Sequence, residues 1–206
     1  KRVPLSEFQN LTGRGLTAVK LKKDDELAFI TLAKADEELA IATSGGRLIR
    51  FAIDDDNLPM MGRTAQGPQA LRLRKQETIV GCVRIQQEGD CVLMVSRAGF
   101  AKRLPIAGIH LGARGGIGTQ AFLFKQKSDQ LAAIAPCPAD GEVTVLTTAA
   151  RCAQIPVETV PRQGRDTPTA YRLSKFSKSE KVETVTLTSL VDNGAESDAL
   201  ADDSEE

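Results

Sequence analysis

Tryptophan is absent, tyrosine and histidine occur once each, and aromatic residues make up only 4% of the 206 residues. The missing tryptophan excludes a propeller of the WD type, whose blades carry that residue as a signature. So few aromatics, spaced as core residues, leave no stacking platform for single-stranded bases. With one histidine, His110, in a loop between Pro105 and a glycine run, no Ser–His–Asp set is plausible, and a solvated or packed imidazole is expected. The four cysteines (Cys82, Cys91, Cys137, Cys152) include no C-x-x-C pair. A zinc site needs about four N or S ligands at tight spacing, so no structural metal is expected; the cysteines read as buried thiols of a reducing compartment. No small cofactor is expected either. No apolar run approaches the roughly 18 residues that would span a bilayer, and no signal peptide is visible, so no membrane partner is expected. The chain opens on Lys1, not Met, which reads as a fragment or a processed product.

What is present is charge, unevenly spread. Lys plus Arg and Asp plus Glu number 27 each, yet seven acids and no base lie beyond Leu190 (Asp192, Glu196, Asp198, Asp202, Asp203, Glu205, Glu206). Residues 1–190 therefore carry an excess of seven positive charges, a basic body that suits a polyanion, followed by a tail that mimics one. Residues 191–206 have too little apolar content to fold and are expected to be a disordered acidic tail.

The body is a repeat. A basic residue near an apolar–Pro pair recurs as Lys1-Arg2-Val3-Pro4-Leu5, Ile49-Arg50-Phe51-Ala52-Ile53, Lys102-Arg103-Leu104-Pro105-Ile106 and Ala153-Gln154-Ile155-Pro156-Val157. About a dozen residues after each comes a glycine–arginine loop: Gly13-Arg14-Gly15, Gly62-Arg63, Arg114-Gly115-Gly116, Gly164-Arg165. A third match follows: Thr17–Leu21, Gln69–Leu73, Gln120–Phe124, Thr169–Leu173. Each module then adds an apolar run (Leu27–Leu32, Ile79–Ile85, Leu131–Cys137, Val182–Leu187), and three add a second (Leu39–Thr43, Cys91–Val95, Val143–Thr147). The fourth module lacks this last run.

These runs are short, rich in Val, Ile, Thr and Phe, and bounded by Gly, Asp and Ser, which makes them strands. No stretch holds a 3.6-residue period for more than two turns, so no longer helix is expected. Hairpin turns are expected at Ser44-Gly45-Gly46, Ala98-Gly99 and Asp140-Gly141. Four strands per roughly 50-residue module, repeated radially, give an all-β propeller plan in which one blade cannot bury its own face and must stack. The segment Lys1–Leu5 is expected to supply the missing strand of the last module and close the array.

The stretches Lys1–Phe8, Ile49–Phe51 with Met61-Gly62-Arg63-Thr64-Ala65-Gln66-Gly67, Leu71–Leu73 and Gly99–Pro105 resemble the C-terminal domain of the A subunit of bacterial DNA gyrase, and less closely its topoisomerase IV counterpart. The resemblance covers about residues 1–190. It implies a β-pinwheel, a disc whose blades exchange strands. The implied role is to bind and bend double-stranded DNA without an active site, supporting ATP-dependent negative supercoiling together with the rest of gyrase A and gyrase B in the cytoplasm, at the nucleoid. In the topoisomerase IV form it would instead select substrates. The family has six blades and this chain shows about four, so further blades are expected upstream. The family's Gln-Arg-Arg-Gly-Gly-Lys/Arg-Gly box is matched only in part by Gly112–Gly118, and the true box is also expected upstream.

From the residues themselves, Arg14, Arg63, Arg114 and Arg165 recur beside glycines, where backbone N–H groups and a bidentate guanidinium can meet a phosphate. Arg2, Arg50, Lys102 and Arg103, with Lys20, Arg72 and Arg172, extend the candidate DNA-binding set. The competing reading has these arginines bracing turns, on a protein-binding propeller scaffold. Gly112–Gly118 is no nucleotide loop, since no Lys-Ser/Thr follows it. Tyr171 shares an apolar strand position with Val19, Leu71 and Phe122, and is expected in the core, not as a DNA-cleaving nucleophile.

Overall fold

A computed structural model describes residues 1–10, 13–86, 90–137, 141–173, 176–177 and 179–188. The acidic tail lies outside them. The described residues form eleven strands and three short 3₁₀ turns (Leu5–Phe8, Ile106–Gly108, Val157–Thr159). None of their helices is long and apolar enough to cross a membrane.

Three antiparallel units carry the fold. The first pairs β1 (Glu38–Thr43) with β2 (Arg47–Ala52) and with β3 (Ile79–Ile85). The second pairs β4 (Cys91–Ser96) with β5 (Ala101–Pro105) and β8 (Leu131–Cys137). The third pairs β9 (Glu142–Thr147) with β10 (Cys152–Pro156) and β11 (Val182–Thr188). In each, the central strand comes from the second apolar run of one module and the flanking two from the module after it. The sheets are thus offset by one strand from the sequence repeat. The run that the fourth module lacks belongs at the centre of a following sheet, so the last sheet has all three of its own strands. It is incomplete in another way, because β10 is a sheet edge among the described residues.

The outer edges of the first two sheets are met by the module that follows. The short strands β6 (Leu111–Gly112) and β7 (Thr119–Gln120) both pair with β2, β6 in parallel at Arg50↔Leu111. Parallel bridges repeat this step at Arg2↔Met60 and Arg103↔Arg162. Lys1–Leu5 therefore does not close the last sheet: Arg2 bridges Met60, and its carbonyl accepts from Met61 N–H at 3.0 Å. Its place in the repeat is that of β2 and β5, which receive a segment from downstream.

Stacking makes the core. Strand β3 lies against β8, and β8 against β11. One cluster (Leu48, Val83, Val92, Met94, Leu104, Phe122, Ile134 and neighbours) fills the first gap, and a second (Leu93, Val95, Val143, Val145, Val160, Val185) fills the next. Burial on both faces explains why β1 and β4 read as continuous apolar runs instead of alternating ones. Each such side chain contributes about 1.5–3 kcal/mol. The gap is narrow at Gly81, where a Cβ would stand 2.3 Å from Ile134 Cγ1.

Hairpin turns fall at Ser44–Gly46 and Ala98–Gly99, with Gly46 at φ 77° and Gly99 at φ 82°. Of the expected Asp140-Gly141 turn, Asp140 lies outside the described residues; the strands on either side, β8 and β9, lie in different sheets. The hairpin of the third sheet turns through Ala150, φ 56°, a position without the glycine signal. Leu27–Leu32 is not a strand. It occupies the repeat place of β3, β8 and β11 but has no central strand beside it among the described residues, and Leu27, Phe29, Ile30 and Leu32 are exposed. Of the four thiols Cys152 is exposed, and Cys82, Cys91 and Cys137 are half-buried, because they sit on flanks and strand ends. Tyr171 packs against the second cluster, as its repeat place implies.

Candidate nucleic-acid interface

The eleven candidate cations divide into two groups. Arg2, Arg50 and Arg103 hold one place in the repeat, and each donates to carbonyls of the turn that opens the next module. Arg2 Nη1 reaches Ile53 O at 3.4 Å, and its guanidinium pairs with Asp55. Arg50 Nη1 reaches Ile106 O at 3.1 Å and Ile109 O at 3.0 Å, while Nε and Nη2 grip Glu38 at 2.5 and 3.0 Å. Arg103 Nε reaches Val160 O at 2.6 Å and Nη2 reaches Glu158 O at 3.4 Å. Arg50 and Lys102 are buried, Arg2 and Arg103 half-buried. These four spend their donors inside the chain: the arginines staple one blade to the next, and Lys102 bonds to the carbonyls of a neighbouring loop. The bracing role, open at the level of sequence, fits them.

The second group faces outward. Arg14, Lys20, Arg72, Arg165 and Arg172 are exposed. Arg165 is offset by its neighbour Asp166 at 3.4 Å. Arg172 Nε donates to Ala98 O at 3.1 Å, which leaves the rest of its guanidinium available. Arg63 and Arg114 are half-buried. Arg63 Nη1 donates to Thr17 O at 2.7 Å, and Arg63 Nε lies 3.5 Å from Glu7. Arg114 Nε is buried without a hydrogen-bond partner. Parallel bridges at equivalent register carry the Gly62–Gly67, Gly112–Gly118 and Gly164–Thr167 loops to equivalent places beside Arg2, β2 and β5. Gly115 (φ 86°) and Gly118 (φ 72°) give the middle loop its course, and a Cβ at Gly118 would stand 2.9 Å from Leu48 O.

A further element had no reading in the sequence. Arg47, 1% exposed, gives Nε to Glu77 at 3.0 Å and Nη2 to the same carboxylate and to Arg72 O. Thr43 and the Arg74 N–H complete the carboxylate's shell. The hydrogen bond from Arg47, opposed by burial, holds the Glu77 carboxyl below its ordinary range. Thr147, Arg151 and Glu180 repeat the clamp in the third sheet; there the Thr147 hydroxyl is the main cause of a lowered Glu180 carboxyl. Aligning the acids as well as the bases across the modules would have found it. The clamp ties the candidate Arg72 to the core: Arg72 C=O is bonded to Arg47 and Arg72 N–H to Gly116 O at 2.8 Å, while its side chain stays in solvent.

A family model described as DNA gyrase C-terminal domain, beta-propeller, matches residues 1–34, 37–86, 92–138 and 141–189. The A subunit of DNA gyrase from Staphylococcus epidermidis is 31% identical over 186 residues, covering 90% of this chain and 20% of that protein. The chain thus spans about a fifth of that relative's length. The A subunit of DNA topoisomerase 4 from Synechocystis sp. is 40% identical over 134 residues, 61% of this chain and 14% of that protein. Among solved structures, the C-terminal domain of DNA topoisomerase IV superposes with a TM-score of 0.79 at 17% identity, over 89% of this chain and 56% of that one.

Proposed function

The chain belongs to the DNA gyrase C-terminal domain family, and from this premise we propose that it is a non-catalytic module that binds, bends and wraps double-stranded DNA. The observation that carries the reading is the recurrence of exposed or half-exposed cations (Arg14, Arg63, Arg114, Arg165, with Lys20, Arg72 and Arg172) at fixed places in successive modules. Contact with phosphates supplies affinity without sequence. No helix is long enough to enter a major groove among the described residues, so shape and backbone are what this surface reads. Curving 20–30 bp costs roughly 1–6 kcal/mol, which contacts spread along an arc of blades offset. In the whole protein the module acts in the cytoplasm with the rest of gyrase A and with gyrase B, and its wrap gives strand passage a preferred sign.

The 40% identity shared with a topoisomerase 4 chain over 134 residues favours a second reading, in which the same surface selects substrates without driving supercoiling. Relaxing plasmid DNA in the presence of the chain separates the two. A shift in linking number supports wrapping, and retained binding with no shift supports substrate selection. Binding itself is measured on a labelled duplex in a salt series, where log K falls with log salt at about −0.9 per phosphate neutralised. Changing Arg14, Arg63, Arg114 and Arg165 together to Glu abolishes binding with the fold retained. Unchanged affinity in that variant assigns the surface another task, such as the protein-binding scaffold.

A further inference from the structure

Two of the glycine–arginine loops are closed from behind by a lysine. Lys102 is fully buried; its Nζ donates to Gly164 O at 2.9 Å and Arg165 O at 3.4 Å and lies 5.7 Å from the centre of the Phe122 ring. Lys1 holds the same place in the repeat and donates to Gly62 O at 3.2 Å, to Arg63 O, and to Ala65 O at 3.1 Å. In a trans peptide the C=O and the following N–H point in opposite directions. Drawing the Gly164 and Arg165 carbonyls inward therefore turns the N–H groups of Arg165 and Asp166 outward. Among the described residues neither has a backbone acceptor, and both residues are exposed. The same geometry turns out the N–H groups of Arg63 and Thr64. Successive outward amides beside an arginine form an anion-binding concavity.

The third loop shows what replaces the lysine. Ile49 stands in its place, against Gly116. The loop is held there by backbone pairs, Gly115 N–H to Ala70 O at 2.6 Å and Arg72 N–H to Gly116 O at 2.8 Å, and it is the loop that contains adjacent glycines. Lysine behind the loop and a glycine pair within it are alternative ways to fix one shape.

We propose that Lys102, with Lys1 at the equivalent place, is a positioning residue for phosphate contact: its ammonium never meets the duplex but shapes the Gly164–Asp166 loop so that two amides and Arg165 do. This rests on the reading of the module as a duplex binder. Affinity and stability then respond differently to pH. Burial pulls the Lys102 pKa down to about 8, opposed by the charge of Asp166. Asp166 and Arg165 are the charged groups beside it. Raising pH through about 8 removes the ammonium from the folded protein before the unfolded chain loses its proton. Duplex affinity therefore falls over this window while folding stability rises, because the unfolded state binds more protons there.

The test compares wild type with Lys102→Met in duplex binding from about pH 6.5 to 9.5, in a salt series, and in urea unfolding. The expected result is about a tenfold loss of affinity at about pH 7, the worth of one charge-assisted contact. The salt slope should shrink by about 0.9. The variant's affinity is flat between about pH 7 and 9, where the wild type declines, and Lys102→Arg restores affinity in part. Wild-type affinity, slope and pH profile in Lys102→Met overturn the inference and leave the function standing. Absence of duplex binding by the wild type overturns the function itself. Should Lys102→Met fail to fold, Lys1→Met on the surface puts the same question to the Arg63 loop, with the same loss of affinity expected and an unchanged affinity refuting.

Discussion

Replacing Arg50 by Met distinguishes a staple from a DNA contact. The side chain is 8% exposed and makes four hydrogen bonds, two to Glu38 and two to the Ile106 and Ile109 carbonyls. Methionine keeps most of the length and removes every donor. Breaking a buried pair from one side costs about 3–5 kcal/mol. Glu38 is 20% exposed, so water recovers part of its carboxylate and the lower end applies. Leaving two turn carbonyls unpaired adds roughly 1 kcal/mol or more, and the terms are not additive. A net loss of about 3–4 kcal/mol corresponds to a fall in urea midpoint of about 1–4 M at slopes of about 1–3 kcal/mol/M. Adding Glu38→Gln should recover part of it, since the stranded charge is then gone. Duplex affinity, measured where the variant is folded, should stay within about twofold of wild type. Arg165→Ala should show the reverse pattern, an unchanged midpoint and weaker binding. An Arg50→Met variant that keeps its midpoint but loses about tenfold in affinity refutes the assignment of this residue to the inter-blade joint.

Truncation after Leu190 removes seven acids tethered to the basic body; duplex binding at about 50 mM salt should tighten, and equal affinity of the two chains denies the tail an inhibitory role. Gly118→Ala forces a left-handed backbone on alanine and sets its Cβ 2.9 Å from Leu48 O, so a loss of about 1–3 kcal/mol is expected in urea unfolding, and a midpoint at the wild-type value contradicts the geometry. Burial pushes the Cys82 and Cys137 thiols up to about 11, while Cys152 is exposed; timed alkylation at about pH 7.5, followed by mass spectrometry, should modify Cys152 first, and earlier labelling of Cys82 or Cys137 refutes that order.

Strand identity was legible because it is written in local terms. Ile79–Ile85 and Leu131–Cys137 match β3 and β8 residue for residue, since apolar, β-branched runs bounded by turn residues encode a strand wherever it is placed. Which strand joins which sheet depends on contacts some sixty residues away, and so the sequence repeat runs one strand out of phase with the sheets. The failure at Leu27–Leu32 has the same origin: its pattern equals that of β3, but a strand needs a neighbour. At the candidate interface, the place in the repeat was readable and the direction of the side chain was not. Arg50 and Arg72 look alike as sequence, yet one lies in the buried joint and the other points to solvent. Lys102 carries the pattern of a surface cation and is buried because loop carbonyls receive it.

The downstream segments that bridge to strands made earlier set an order of events during synthesis. The bridges join residues 58, 61 and 59 positions apart (Arg2 to Met60, Arg50 to Leu111, Arg103 to Arg162). A ribosome adding about 5–20 residues per second therefore exposes an unfinished edge for several seconds before the segment that covers it emerges. Each newly made blade waits on its successor, so assembly runs like a ratchet from the first module to the last. A pause placed about sixty codons after a basic–Pro strand would lengthen that exposure more than the same pause placed within the strand itself.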